Sequence, residues 1–228
     1  DVFVAPSLRG TAEERTILRR AEALTAQGIA SADPLVVTDV DAVDRIRRDA
    51  LEELGYAHYR TWDHLAERSV TNLPTVEVPG GYRLRPAEFA DADELARART
   101  SAFGDDWGPG EFERLVMRRP GYRPSHDLLA VADGGEVAAF VTLRTDARNR
   151  IAQIEPVGTH AAHRRRGLGR SLLAFAMHRA ARAGMTHIAV QYDATNAPAA
   201  ALYRDLAFEV TGETLGYRRR VPRPPLQR

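Results

Sequence analysis

Residues 154–175 read IEPVGTHAAHRRRGLGRSLLAF, and no other stretch of the chain spells out a binding geometry so directly. A short apolar strand, Ile154 to Thr159, runs into a turn that holds Arg164, Arg165, Arg166, Gly167 and Gly169. Beyond the turn, Leu172, Leu173, Phe175 and Ala176 recur at helical spacing. The N–H groups of a helix's first turn have no intrahelical partner and carry partial positive charge, so such a loop makes an anion site. Glycines let the main chain come close to a ligand, and arginines beside them add charge-assisted bonds to phosphate oxygens. The competing reading is a solvated basic turn ahead of an ordinary amphipathic helix.

Spacing favours the anion site. The order strand, Arg164-x-x-Gly167-x-Gly169, helix resembles the acetyl-coenzyme A pyrophosphate loop of the GCN5-related N-acetyltransferase (GNAT) superfamily. Downstream, Asn196-Ala-Pro-Ala-Ala-Ala-Leu-Tyr203 followed by Ala207-Phe208 resembles that family's second signature, with Ala207 where glycine is common. The resemblance implies an α/β fold, a mixed and centrally splayed sheet flanked by helices. It also implies acetyl-coenzyme A as the donor and the primary amine of a small molecule as the acceptor.

Composition sets bounds on this reading. The 228 residues suffice for one large domain or two modest ones, and the net charge of +1 gives no electrostatic case for nucleic acid or membrane. Cysteine and lysine are both absent, which removes a thioester or Schiff-base intermediate on those side chains and makes direct acyl transfer the expectation. With no long apolar run and no signal-like start, the expected location is the cytoplasm. Monomer and homodimer both stay open.

Residues 1–75 echo the later region. Val4-Ala-Pro6-x-x-Arg9-Gly10 resembles the family's strand-to-loop turn; a helix over Glu13 to Gln27, a strand over Leu35 to Thr38 and a helix over Asp41 to Leu54 follow. Ala12 and Glu14 fall where the second copy has Gly167 and Gly169, and Leu51 falls where it has Tyr203. Carboxylates suit a helix N-terminus but repel a pyrophosphate there. Residues 1–75 are therefore expected to be a degenerate GNAT-like half-domain, kept for structure or for shaping a substrate pocket. The complete GNAT domain is expected over 76–218, beginning with a Pro- and Gly-rich linker, and a flexible Arg/Pro-rich tail over 219–228. Within the complete domain, a first strand at Tyr82 and a helix from Asp91, capped by that residue, are expected. A loop, FGDDWGPG, then precedes a short helix and a hairpin around Asp133-Gly134-Gly135.

The resemblance also distributes roles. Val157 and Thr159 would pair with the pantetheine arm, and Val157 N–H would polarise the thioester carbonyl. The backbone of Arg164, Arg165, Arg166, Gly167, Leu168, Gly169 and Arg170, with Ser171, would hold pyrophosphate. Asn196 reads either as a cofactor contact or as a helix N-cap. Tyr203 is the candidate acid for the departing thiolate, since a phenol with a pKa near about 10 is protonated at neutral pH; its other reading is a core tyrosine. Glu155, two residues before Val157 and so on the same face of a regular strand, is the candidate base or else a partner for an arginine. Trp107, Phe103 and Tyr122 read as acceptor-site lining or as core. His160 and His163 are three residues apart with no third ligand at a recognisable spacing, so no metal is expected. The alternative to an enzyme is a non-catalytic coenzyme A-binding sensor or scaffold.

Overall fold

The structure, a computed structural model, describes residues 2–31 and 33–221. In chain order its elements are α1 (Ala12–Gly28), β1 (Leu35–Asp41), α2 (Arg45–Glu53), β2 (Ala57–Ser69), β3 (Tyr82–Pro86) and α3 (Ala92–Phe103). There follow β4 (Asp127–Ala132), β5 (Val137–Asp146), β6 (Ile151–Thr159), α4 (Leu168–Arg182), β7 (His187–Asp193), α5 (Ala197–Asp205) and β8 (Glu209–Arg220). The chain forms two compact units. The first contains residues up to Leu65, Tyr192–Thr195 and the segment from Val210; the second contains Ala66–Gln191 and Asn196–Glu209. Among the described residues no helix is long and apolar enough to cross a membrane.

In the larger unit the strands run in the order β7-β6-β5-β4-β3, antiparallel from β3 to β6 and parallel between β6 and β7. The expected hairpin is β4–β5. Apolar residues fill both faces of these strands: Leu128, Leu129, Ala130 and Val131 are fully buried, as is the run Val137 to Val141. The helix α3 covers one face, where Leu95, Ala98, Phe112 and Met117 pack on Leu129, Val131 and Phe140. No buried residue of α4 belongs to that cluster, and α4 packs against β4, β5 and β6 from the other side.

Caps set several helix boundaries. Asn196 accepts the Ala199 N–H at 3.1 Å to start α5, and Asp44 accepts that of Arg47 at 3.0 Å to start α2. Asp91 does not cap α3. Its carboxylate instead takes both prongs of Arg85, at 2.6 Å each, together with the Glu88 N–H at 2.7 Å, because a guanidinium offers a stronger pairing than one orphan amide. The short helix expected after the loop is a π-helical turn at Glu113–Met117. Ala207 takes φ +58 after α5, so the alanine adopts the left-handed bend for which glycine is the usual choice.

In the smaller unit the strand order is β1-β8-β2, with β1 and β8 antiparallel from Leu35↔Arg220 to Asp41↔Thr214. Its core joins Leu18 and Ala26 of α1, Val36 and Val40 of β1, Ala50 and Leu51 of α2, and Tyr217 of β8. The last strand reaches Arg220, so Arg219 and Arg220 are strand residues where a flexible tail was expected; Arg219 pairs with Glu22 at 3.1 Å. The rest of that expected tail, 222–228, lies outside the described residues.

The carboxylate of Glu14, 0% exposed, sits at the start of α1. It accepts the Gly10 N–H at 2.6 Å and the Arg47 guanidinium at 2.9 Å, with Arg9 at 3.5 Å. Removing one member of a buried ion pair strands the others. Glu14→Gln should therefore lower stability by about 3 kcal/mol, the low end for such a loss because both arginines keep some contact with water. Urea unfolding that gives an unchanged midpoint would show that this carboxylate contributes nothing.

Candidate functional site

The β6 strand is irregular where the site begins. Its register with β5 moves from Leu143↔Ile154 to Val141↔Val157, so Glu155 and Pro156 together oppose Thr142. That extra residue is a β-bulge, and it resets the alternation of side chains. Ile154 and Val157 consequently share a face, while Glu155 falls on the other with Gln153, whose amide donates to it at 2.9 Å. The expectation that Glu155 and Val157 share a face fails for this reason. The parallel ladder with β7 runs from Ile151↔His187 only to Ile154↔Val190, so residues 155–159, including Val157 and Thr159, are paired on the β5 side alone.

Gly158 is enclosed at this point. A Cβ there would lie 2.3 Å from Cζ of Phe140, a ring 2% exposed that meets Phe103 edge-on at 5.6 Å.

After β6 a short 3-10 turn, Ala161–His163, leads to Gly167, which stands at the N-cap of α4 with φ +79 and ψ 0. An L-residue adopts that conformation only under strain, so glycine is the residue the backbone favours here. Gly167 and Arg164 to Arg166 are exposed, Gly169 is half-buried, and Leu168 is 1% exposed and anchors the helix start in the core. Among the described residues, Arg164, Arg165, Arg166 and Arg170 have no carboxylate partner, which leaves four cations around the first turn of a helix. Ser171 is placed differently: its hydroxyl is buried and engaged with the carbonyls of Glu77 and Gly167. Together with the bond from His178 to the Pro74 carbonyl at 3.0 Å, it ties the extended 70–81 segment along α4.

A directed chain of hydrogen bonds holds the loop. Arg166 donates to the Tyr82 oxygen at 2.9 Å, the Tyr82 O–H donates to Nδ1 of His163 at 2.8 Å, and Nε2–H of His163 donates to Glu136 at 3.0 Å. Glu136 comes from the β4–β5 turn and brings a third possible ligand atom beside His160 and His163, all within 4.8 Å, a neighbour that sequence spacing did not reveal. In this arrangement neither imidazole offers a free lone pair. Nδ1 of His160 takes the Ala162 N–H at 3.2 Å, which places its proton on Nε2, and His163 uses both nitrogens in the chain.

Tyr203 lies on α5, 5% exposed, and its ring meets Phe208 at 5.6 Å. Asn196 is the cap of that helix, with its amide nitrogen left over for a further contact. On the α3 side of the sheet a cavity of about 650 Å³ is lined by Trp107, Tyr122, Arg99, Phe140, Thr142 and Pro156 of the bulge. Phe103 is not among its lining residues. At its base Asp127, 6% exposed, accepts from Tyr122 and Thr142. Burial, and then the bond to Asp127, push the Tyr122 phenol far above its ordinary range. Burial, helped by Arg123, holds His126 below its ordinary value. Of the three aromatics read from the sequence as acceptor-site lining or as core, Trp107 and Tyr122 line this cavity; its arginines and Asp127 were not anticipated, although arginine is dense in 118–123.

A mixed sheet that opens beside a glycine-capped helix, with cations around the opening, defines a fold that is matched directly: the chain belongs to the acetyltransferase (GNAT) family, over residues 92–208. It is similar to the mycothiol acetyltransferase of Clavibacter michiganensis subsp. michiganensis, at 30% identity over 153 residues covering 65% of this chain and 49% of that one. The chain spans about half the length of the first of the curated relatives it matches. Among solved structures it resembles a GCN5-related N-acetyltransferase from Sphaerobacter thermophilus (TM-score 0.74, 22% identity, 99% of this chain and 73% of that one). It also resembles a tandem GNAT protein from the clavulanic acid biosynthesis pathway (TM-score 0.72, 16% identity, 99% and 74%). At these identities the two structures speak for the fold.

Filling the enclosed space beside Val157 tests how tightly the opening is built. Gly158→Ala should destabilise the protein by about 1–3 kcal/mol through overpacking against Phe140. A calorimetric melting temperature equal to that of the parent would mean that the ring yields freely.

Proposed function

We propose that this protein is an acetyl-coenzyme A-dependent N-acetyltransferase that passes acetyl directly to the primary amine of a small molecule. The observation that carries the reading is the site's combination of an interrupted β6–β7 ladder with a left-handed Gly167 at the head of α4. The residues suit the donor: the amides of a helix's first turn, which have no intrahelical partner, and four arginines without carboxylate partners match a pyrophosphate in charge. When bound, acetyl-coenzyme A supplies the acetyl group as a thioester.

The chain's own residues then divide the work. Val157 and Thr159 present main chain from the part of β6 that β7 leaves unpaired, and the Val157 N–H polarises the carbonyl under attack. The amides of Arg164 to Arg170 hold phosphate charge, with Leu168 as the buried anchor. Ser171 supports this loop through the Gly167 carbonyl. Asn196 contributes the amide nitrogen that its capping role leaves available. Tyr203 donates a proton to the departing sulfur. Glu155 takes the proton of the amine through water from the cavity face of the sheet, the face the bulge assigns to it.

We further read residues 1–75 as a degenerate half-copy of the complete domain, which spans 76–218. The order α1, β1, α2, β2 parallels α4, β7, α5, β8; a 3-10 turn precedes the first helix of each series, and Asp44 caps α2 as Asn196 caps α5. Gly10 and Arg165, which correspond when the two turns are aligned, both have positive φ, +77 and +63. In the first series the Glu14 carboxylate already fills the anion position, bonded to the Gly10 amide and to Arg47. One coenzyme A per chain follows. Calorimetric titration should give a stoichiometry near one, and Gly167→Glu should abolish binding by strain and charge while Glu14→Gln leaves the stoichiometry unchanged. Two sites per chain would overturn the account.

The Tyr203 assignment rests on one proton. Tyr203→Phe keeps the ring against Phe208 and should leave coenzyme A affinity intact while turnover drops on the order of 10²–10⁴-fold. Full turnover in that variant would return Tyr203 to the core.

A further inference from the structure

The cavity beside the β6 bulge carries more positive charge than a site for a simple amine needs. Four arginines line it, Arg99, Arg119, Arg123 and Arg144, against the single carboxylate of Asp127. They come from three places: α3, the 119–123 turn and the end of β5. Arg99 is neutralised by Asp105 at 3.1 Å and packed near the rings of Phe103, Phe112 and Phe140. The other three have no carboxylate partner among the described residues, although the protein pairs many of its exposed arginines, including the neighbouring Arg114 and Arg118. Asp127 does not offset them, because its carboxylate is buried and occupied by the hydroxyls of Tyr122 and Thr142. The same charge is felt by His126, held below its ordinary value by burial and by Arg123 and Arg144.

A basic cavity of this kind repels a free ammonium group. An amine enters as its neutral form, or it brings a negative charge of its own. We infer that the acceptor carries an anionic group, a carboxylate or a phosphate, which Arg119, Arg123 and Arg144 receive while its amine lies toward Pro156 and the opening of the sheet. The inference rests on the acetyltransferase reading and names the substrate class of that site. Guanidinium groups suit it, since they bind the oxygens of either anion two at a time. The apolar part of the lining, Trp107, Phe112, Val116 and Phe140, fits a small carbon skeleton between the two ends.

Matched pairs of amines test this. Glucosamine is compared with glucosamine 6-phosphate, and a panel of amino acids with their carboxamides; binding is measured by calorimetry with and without coenzyme A, and transfer by release of free thiol from acetyl-coenzyme A. In at least one pair the anionic member should bind more tightly and show a higher kcat/KM by about 10- to 100-fold, the range of one or two charge-assisted hydrogen bonds. The pair Arg123→Gln and Arg144→Gln should erase that preference, whereas Arg114→Gln, a paired arginine outside the cavity, should keep it. Neutral members bound as well as or better than anionic ones throughout, no binding by either class, or a preference that survives the double substitution would each overturn the inference. Failure of the protein to bind coenzyme A would instead remove the donor-site reading, and it is read separately from the amine titrations made without coenzyme.

Discussion

The end of the β6–β7 ladder at Ile154↔Val190 is the constraint on which the site depends. Pro156 has no N–H to give a neighbouring strand, and the bulge that places Glu155 and Pro156 against one residue of β5 turns the backbone out of regular register. Past that point β6 keeps its bonds to β5 but not to β7. A sheet interior then exposes main-chain groups that water or a ligand must satisfy. The loop, the helix start and the cavity are all arranged around those few residues.

The helix starts of α1 and α4 are both electropositive, and they are met in different ways. At α1 the chain supplies its own anion: Glu14 is buried on the Gly10 amide between Arg9 and Arg47. At α4, among the described residues, no carboxylate pairs with the arginines of the helix start; Gly169 is half-buried there and Arg164 to Arg166 are exposed around it. One helix start is thus neutralised by a buried carboxylate of its own, and the other keeps its positive charge facing solvent. The Arg166–Tyr82–His163–Glu136 chain adds rigidity on one side of the open turn without neutralising the others.

Features that depend on local spelling were legible in the sequence. The loop and its helix, the β4–β5 hairpin around Gly134-Gly135, and the cap at Asn196 follow from residue type and spacing. What escaped was set by register and tertiary neighbours. Alternation put Glu155 beside Val157, because a bulge is decided by the facing strand and not by the strand that carries it. Asp91 has the composition of a cap, but Arg85 competes for it from β3. The cavity joins α3, the 119–123 turn, β5 and β6, and no window of sequence contains more than a part of it. The long β2, with charged and aromatic residues intermixed, shows no clean period of two and was not anticipated.

The middle position of β8 in the smaller unit has a consequence for how the chain is made. On the ribosome α1, β1, α2 and β2 are made before the larger unit, yet the strand that lies between β1 and β2 is synthesised only after nearly all of that unit. At ordinary elongation rates that interval is on the order of ten seconds, far longer than a helix or hairpin needs to form. During it Leu18, Val36 and Leu51 wait without Tyr217, the residue that closes their core. The larger unit can collapse first, so the smaller unit, whose two helices are made before it, is completed after it.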